Sequence, residues 1–489
     1  MSVPRPVRDL SVSQRVEIGR AARSARPRTS LGEYSPTPDR SDPVQVLAAQ
    51  EQQRVTDLLP VRHARMAQSP FAFLRGSAAV MVADQAASPS TGLLVQACGD
   101  AHLANLGIFA APDRGLVFDV NDFDETNPGP FEWDVQRLAT SFLIAAADAG
   151  HRSKVARELP RVVARAYRDG MTAFAAMSDL DAYYFRIDTM TLRRWAREVN
   201  SRVGVQALKR SEREAMARTR WSAVNKLTVV ENGSRRFRDS PPLLNSLSAN
   251  DQVWDQLYAM YEAYRSTLLV DRSDLLARYR PVDLGHKVVG VGSVGLLAFV
   301  LLLQGRDEDD LLVLQFKEAV PSVLEPFTAP TQWASPGERV VSGQRLMQAA
   351  TDAFLGWVEG PSGRSYYVRQ VRDMKWSPEI TQMTAEGLVA FAGMCGAALA
   401  RAHARSGDSV AIAAYLGQSD RFEEAIASFA RAYAAQTYTD FSRYTSAISS
   451  GAVSVAENRE DPVRIVVRIG DDGSPRIETE RHGADTPTT

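Results

Sequence analysis

Cysteine is nearly missing from this sequence: Cys98 and Cys395 are the two in 489 residues. Two thiols cannot supply a disulfide framework, so a reducing compartment, the cytoplasm, is expected. Histidine is scarce too, with six, and no two stand at metal-ligand spacing, which argues against a histidine-bound zinc centre. No excess of one charge sign exists either. The 57 Lys and Arg against 58 Asp and Glu leave a net charge of −1, so nothing global draws the chain to nucleic acid or to a membrane surface. The longest apolar run, Val288 to Leu303, is short for a membrane span and carries three glycines, Ser293 and a charged C-terminal flank. Met1 to Arg40 has no apolar core of the kind a signal peptide needs.

What is present is ordinary globular composition, 45% hydrophobic and 24% charged, in a chain long enough for two or three domains. Residues 1–42, dense in Arg, Pro and Ser, read as a flexible arm. Residues 43–280 read as a mainly helical lobe, in which Val135, Leu138, Phe142 and Ile144 form the apolar stripe of one helix. A locally basic stretch from Arg193 to Arg220 fits a solvated helix face or a site for an anionic substrate. Residues 281–375 change to strand-length apolar runs, with a hairpin around Glu359-Gly-Pro-Ser-Gly363. Residues 376–455 return to helix, with Leu388, Phe391, Cys395, Leu399 and Ala402 on one face, and 456–489 form a polar tail. The class this pattern predicts is α+β, with a large helical lobe and a small antiparallel-sheet lobe.

The chemistry concentrates where two apolar runs end in carboxylate-bearing turns, Cys98-Gly-Asp-Ala-His-Leu-Ala-Asn105 and Phe118-Asp-Val-Asn-Asp-Phe-Asp-Glu125. Phosphoryl transfer from a nucleotide uses such an array: a carboxylate that orients the attacking hydroxyl, and an amide and a second carboxylate that hold magnesium against the phosphates. Asp100 suits the first role and Asn105, five positions on, the second. Asp119, Asp122 and Asp124 are the candidates for the third, and so many carboxylates together would repel unless a divalent cation compensates them. The bland reading of Asp100 is an aspartate capping its own turn.

A nucleotide site is suggested about 190 residues later by Gly290-Val-Gly292-Ser-Val-Gly295. A glycine motif of this spacing serves two mechanisms. In a dinucleotide-binding unit it joins a strand to a helix, with Leu296 to Leu303 as that helix and Glu318 as the ribose-binding acid. In a kinase-like sheet it joins two antiparallel strands over the phosphates of ATP, and a lysine on the third strand reaches them. Lys317, alone at the end of an apolar strand, favours the second mechanism, because burying it without an anionic partner would be costly. Glu338, ahead of Glu325, is the candidate to orient it. The parts then run in an unusual order, with the catalytic loop ahead of the glycine loop, which a circular permutation would reconcile.

Four phrases resemble the bacterial family called domain of unknown function 2252: Ser69-Pro-Phe-Ala-Phe-Leu-Arg-Gly76, the Cys98 to Asn105 and Phe118 to Thr126 turns, and Leu399-Ala-Arg-Ala-His-Ala-Arg-Ser-Gly-Asp408. The likeness covers about Pro43 to Tyr444. That family is in turn similar to the protein-kinase-like superfamily, especially the aminoglycoside and choline kinases. The resemblance implies a two-lobe kinase-like fold with the base on Asp100, metal ligands on Asn105 and Asp122, and a supporting helix at Asp134-Val-Gln-Arg-Leu-Ala139. The sequence departs from the kinase pattern in Cys98, where a histidine commonly stands, in its order of parts, and in the extra Asp119 and Asp124. The expected activity is an ATP- and magnesium-dependent phosphotransferase, or a nucleotidyl transferase, acting on a small-molecule or protein hydroxyl. The alternatives are a non-catalytic nucleotide-binding regulator and a dinucleotide-dependent oxidoreductase.

Overall fold

The computed structural model describes residues 9–198, 202–217, 220–231, 233–240, 244–247, 251–287, 292, 294–360, 363–371, 376, 379–456, 463–469 and 475–481. It is an α+β protein. Four helices, Phe131–Asp148, Ser153–Ala175, Ala385–Ala404 and Arg421–Ser449, share the main apolar core. Small residues set how closely they approach: a Cβ on Gly396 would lie 2.4 Å from Val163 O across the contact between Ala385–Ala404 and Ser153–Ala175. Ala385–Ala404 is also the one helix among the described residues long and apolar enough to cross a membrane, and its apolar window is 61% buried in this core.

The expected flexible arm is instead largely structured. Val12–Ala25 is a helix begun by a capping box at Ser11 and Gln14. It packs against Ser409–Leu416, where Gly19 abuts Ala411 O and Arg15 pairs with Asp408 at 2.8 Å. The arm's arginines made the segment look like linker; Arg15 and Arg40 find acids, and Arg26 and Arg28 reach the carbonyls of Ser30 and Leu416. The expected polar tail likewise contains an antiparallel hairpin, Val463–Ile469 with Pro475–Arg481.

Six antiparallel strands form the second layer, in the spatial order Gly356–Glu359, Ser365–Gln370, Leu311–Ala319, Ala298–Gln304, Arg280–Lys287 and Leu244–Ser246. The register puts Leu301, Leu303, Leu314, Phe316 and Val368 on one face, against Tyr261 and Tyr264 of helix Asp251–Arg265. Val300, Leu302, Val313 and Lys317 occupy the other face. There Val224 of helix Arg220–Leu227 and Phe237 of strand Ser234–Phe237 cover the valines and leucine. Ala298–Gln304 is thus a strand, and the strand–turn–helix expected of a dinucleotide unit is not formed.

Two nested strand pairs bring the carboxylate turns together. Leu94–Ala97 pairs with Asn127–Pro130, and inside them Leu106–Ala110 pairs with Leu116–Val120. The loops 98–105 and 121–126 therefore leave the same end of this ribbon, tied by Asn121 N donating to Asn105 O at 2.7 Å.

Candidate functional site

The first loop is shaped by helix Phe131–Asp148. Asp134, buried, accepts from Cys98 N at 2.6 Å and Gly99 N at 3.1 Å, and its carboxylate also meets His403 Nε2 at 3.1 Å. His403 passes the contact on to the Tyr167 hydroxyl at 2.9 Å. Gly99 has φ +76°, and a Cβ there would sit 2.4 Å from Glu125 O, so glycine is required at this turn. One turn along the same helix Arg137, also buried, donates from Nε to Asp100 Oδ1 at 2.7 Å and from Nη2 to Leu74 O at 2.8 Å. Asn105 Nδ2 donates to Asp100 O at 2.9 Å and closes the loop. Arg137 was given no role in the sequence reading, although a base three residues from Asp134, beside the helix's apolar stripe, was a legible signal. Cys98 is buried and its thiol is pushed well above its ordinary value, first by burial and then by Asp134, which disfavours the thiolate that a nucleophile needs.

The second loop sorts the three candidate metal carboxylates. Asp119 is a correction: it is buried on its strand, pairs with Arg401 Nη2 at 2.6 Å, and does not line the cleft. Asp122 and Asp124 do line it, with Asp100 and Asn105. Burial opposes the charge on Asp122, but Lys317, Arg369 and the Asp124 N–H outweigh it and hold its carboxyl below the ordinary value. Asp124 accepts from the Tyr367 hydroxyl at 2.8 Å and forms an ion pair with Lys317. Burial works against the charge on Lys317, but Asp124, Tyr367 and Asp122 outweigh it and raise its pKa above the ordinary value. Glu125, beside them, is pushed up to about 7 by burial, with Asp124 and Asp100 adding to the effect.

Glu338 is the second correction. It sits in the first turn of helix Pro336–Met347, which Ser335 caps, accepting from Ala334 N at 3.0 Å, and Asp124 takes its expected place beside Lys317. The next residue on that helix reaches the site: Arg339, fully buried, donates to Asp124 O at 2.9 Å, Val320 O at 2.7 Å and Thr126 O. Glu325 lies 3.4 Å from Arg339 rather than at the lysine.

Of the three glycines, Gly290 falls outside the described residues. Gly292 lines the cleft, its Cα turned to Arg75 O so that a Cβ would lie 3.2 Å away. Gly295 has φ +93° and packs on Arg54. A segment that sequence reasoning passed over holds this loop. Arg54 Nη1 donates to Val294 O at 2.7 Å, Val55 N donates to Gly295 O at 2.8 Å, and buried Arg62 reaches Gly292 O at 3.4 Å. Arginines scattered through a polar helical region have no period that would mark them.

The cleft is narrow, about 80 Å³, where a pocket for a whole ligand has roughly 300–1,000 Å³. A wider groove of about 760 Å³ adjoins it and shares Arg54, Glu318, Ala319 and Val320 with it. Among the described residues no three His, Cys, Asp or Glu side chains could hold a metal by themselves. Magnesium asks for less, since it keeps waters and takes one or two carboxylates plus phosphate oxygens, and Asp122 with Asn105 fits that demand. The polar end of a magnesium–nucleotide therefore fits these residues. The base does not fit in this conformation, because the sheet face beyond Lys317 is covered by Val224 and Phe237.

Within the basic stretch, Arg193 pairs with Glu212 and Arg210 with Glu214 at 2.7 Å, as a solvated helix face does, and neither arginine lines the cleft. No curated protein and no solved structure matches the chain. A family model described as an uncharacterized protein conserved in bacteria, DUF2252, matches residues 54–447, which takes in Arg54, Arg62, both carboxylate loops and Lys317. The chain belongs to the DUF2252 family.

Proposed function

We propose that the chain is an ATP- and magnesium-dependent phosphotransferase acting on a hydroxyl acceptor, with a kinase-like two-lobe arrangement reached in permuted chain order. One observation carries this reading. Lys317, buried on the third strand of a glycine-loop sheet, pairs directly with Asp124, which lines one cleft with Asp100, Asn105, Asp122 and Gly292, although the two sets lie about 190 residues apart in the chain.

In this reading Asp100, steadied by Arg137, orients the acceptor hydroxyl and takes its proton. Asn105 and Asp122 would hold magnesium, which when bound supplies charge neutralisation for the transferring group. Lys317 leaves Asp124 for phosphate oxygens, an exchange of one anionic partner for another that keeps the buried ammonium paired. Helix Arg220–Leu227 and strand Ser234–Phe237 lift from the sheet to admit the base. The free, buried thiols fit work in the cytoplasm, and neither nucleic acid nor a membrane is a partner.

The test is transfer from terminally labelled ATP, with magnesium, to fractionated small molecules and proteins. Asp100→Ala is expected to lower transfer by about 10²–10⁴-fold while nucleotide binding persists. Undiminished transfer by that variant would remove Asp100 from its role. The covered sheet face favours a second reading, a nucleotide-responsive protein without catalysis; nucleotide binding with no labelled acceptor in any fraction would install it.

A further inference from the structure

Two arginines of the cleft have work that the loops do not account for. Arg54 stands where the narrow cleft meets the wider groove, and Arg75 stands deeper, beside Asp100 and Asp122. Arg54 spends Nη1 on Val294 O, while its Nε is buried without a hydrogen-bond partner. Arg75 Nε is buried without one as well, and the side chain rests over the Phe71 ring, 5.9 Å from its centroid. Neither forms an ion pair among the described residues. Burial lowers the pKa of both, Arg54 to about 9, and Arg54 and Arg62 repel one another. Two guanidinium groups thus converge on one cleft with buried donors unmet, and a buried donor without a partner costs free energy that an oxyanion would recover.

We infer that Arg54 and Arg75 form an oxyanion subsite that takes a phosphate-type group within the cleft. The inference rests on the phosphotransferase reading for its meaning but not for its geometry. Two sources share the chemistry: the terminal phosphate of the nucleotide, and an anionic group on the acceptor. Arg75 faces the proposed base, and Arg54 opens to the groove by which an acceptor would enter, so the acceptor is the source the placement favours. The substrate class is then a hydroxyl compound that already carries a phosphate or carboxylate.

Inorganic phosphate is the probe. It is titrated into the full chain by calorimetry and by thermal melting, alone and with saturating magnesium and a non-hydrolysable ATP analogue. Saturable binding is expected, weakened at least about tenfold in Arg75→Gln and Arg54→Gln, since hydrogen bonds to charged groups are worth that much or more. Arg75→Lys, which keeps the charge, should recover part of it. Phosphate that binds together with the analogue belongs to the acceptor position; phosphate that competes belongs to the terminal phosphate of the nucleotide. Either result supports the subsite. Equal phosphate binding by the wild type and both Gln variants overturns it, as does a wild type that binds none. If the analogue fails to bind while arginine-dependent phosphate binding holds, the phosphotransferase reading falls and the subsite stands.

Discussion

The two sides of the cleft are held by different means. On the carboxylate side, buried side chains from three helices, Asp134, Arg137, Arg339 and His403, meet the loops with charge-assisted hydrogen bonds to the backbone, to Asp100 or to one another. On the sheet side the glycine loop is held mainly through carbonyls taken up by Arg54 and Arg62, and the face beyond Lys317 lies under an inserted helix and strand. The first arrangement is preorganised, so its geometry does not wait for a ligand. The second must move before a nucleotide base can enter. Under the proposed function, a protein built this way would keep its carboxylate loops ready and gate its nucleotide.

Breaking the preorganised side should have the largest effect. Asp134→Ala removes the acceptor for two backbone N–H groups and the partner of buried His403, and is expected to lower stability by about 3–5 kcal/mol. Urea unfolding monitored by fluorescence measures it; a loss under about 1 kcal/mol would mean the loop holds itself. On the other side Phe237→Ala should lower stability by about 3 kcal/mol through lost packing and yet tighten nucleotide binding, because it uncovers the sheet face. Weaker nucleotide binding in that variant would show that the insert is part of the site rather than its cover.

A smaller effect distinguishes the sheet by pH. His286 is fully buried with neither ring nitrogen hydrogen-bonded, and burial lowers its pKa to about 4. The unfolded chain takes up this proton near pH 6.5 and the folded chain does not until about 4, so stability is intact above 6.5 and falls as the pH drops through that window. Between pH 7 and 5 the loss attributable to His286 is about 2 kcal/mol. His286→Leu should flatten the stability–pH curve there, and an unchanged slope would assign it to other groups.

The contrast also explains what could be seen in the sequence. Asp100, Asn105, Asp122 and Lys317 were legible because each is a polar residue at the end of an apolar run, where local pattern and chemistry coincide. Helix Phe131–Asp148 and the hairpin Gly356–Glu359 with Ser365–Gln370 announced themselves by periodicity and turn residues. Asp119, Asp122 and Asp124 could not be separated, since strand alternation that sends Asp119 to Arg401 depends on where the strand ends. Glu338 misled because an acid in the first turn of a helix has a local use, here accepting from Ala334 N just ahead of the Ser335 cap. The arginines at 54, 75, 137 and 339 act through tertiary approach alone, and a long polar side chain gives no local sign of where its end will reach.

The central claim is that phosphates lie between Lys317 and the Asn105–Asp122 pair. Calorimetric titration of magnesium–ATP into the wild type, Lys317→Met and Asp122→Asn tests it most directly. The account predicts one equivalent bound by the wild type, loss of at least about tenfold in affinity for Lys317→Met, and loss of the magnesium dependence for Asp122→Asn. Equal affinity and equal magnesium dependence in all three proteins would contradict it.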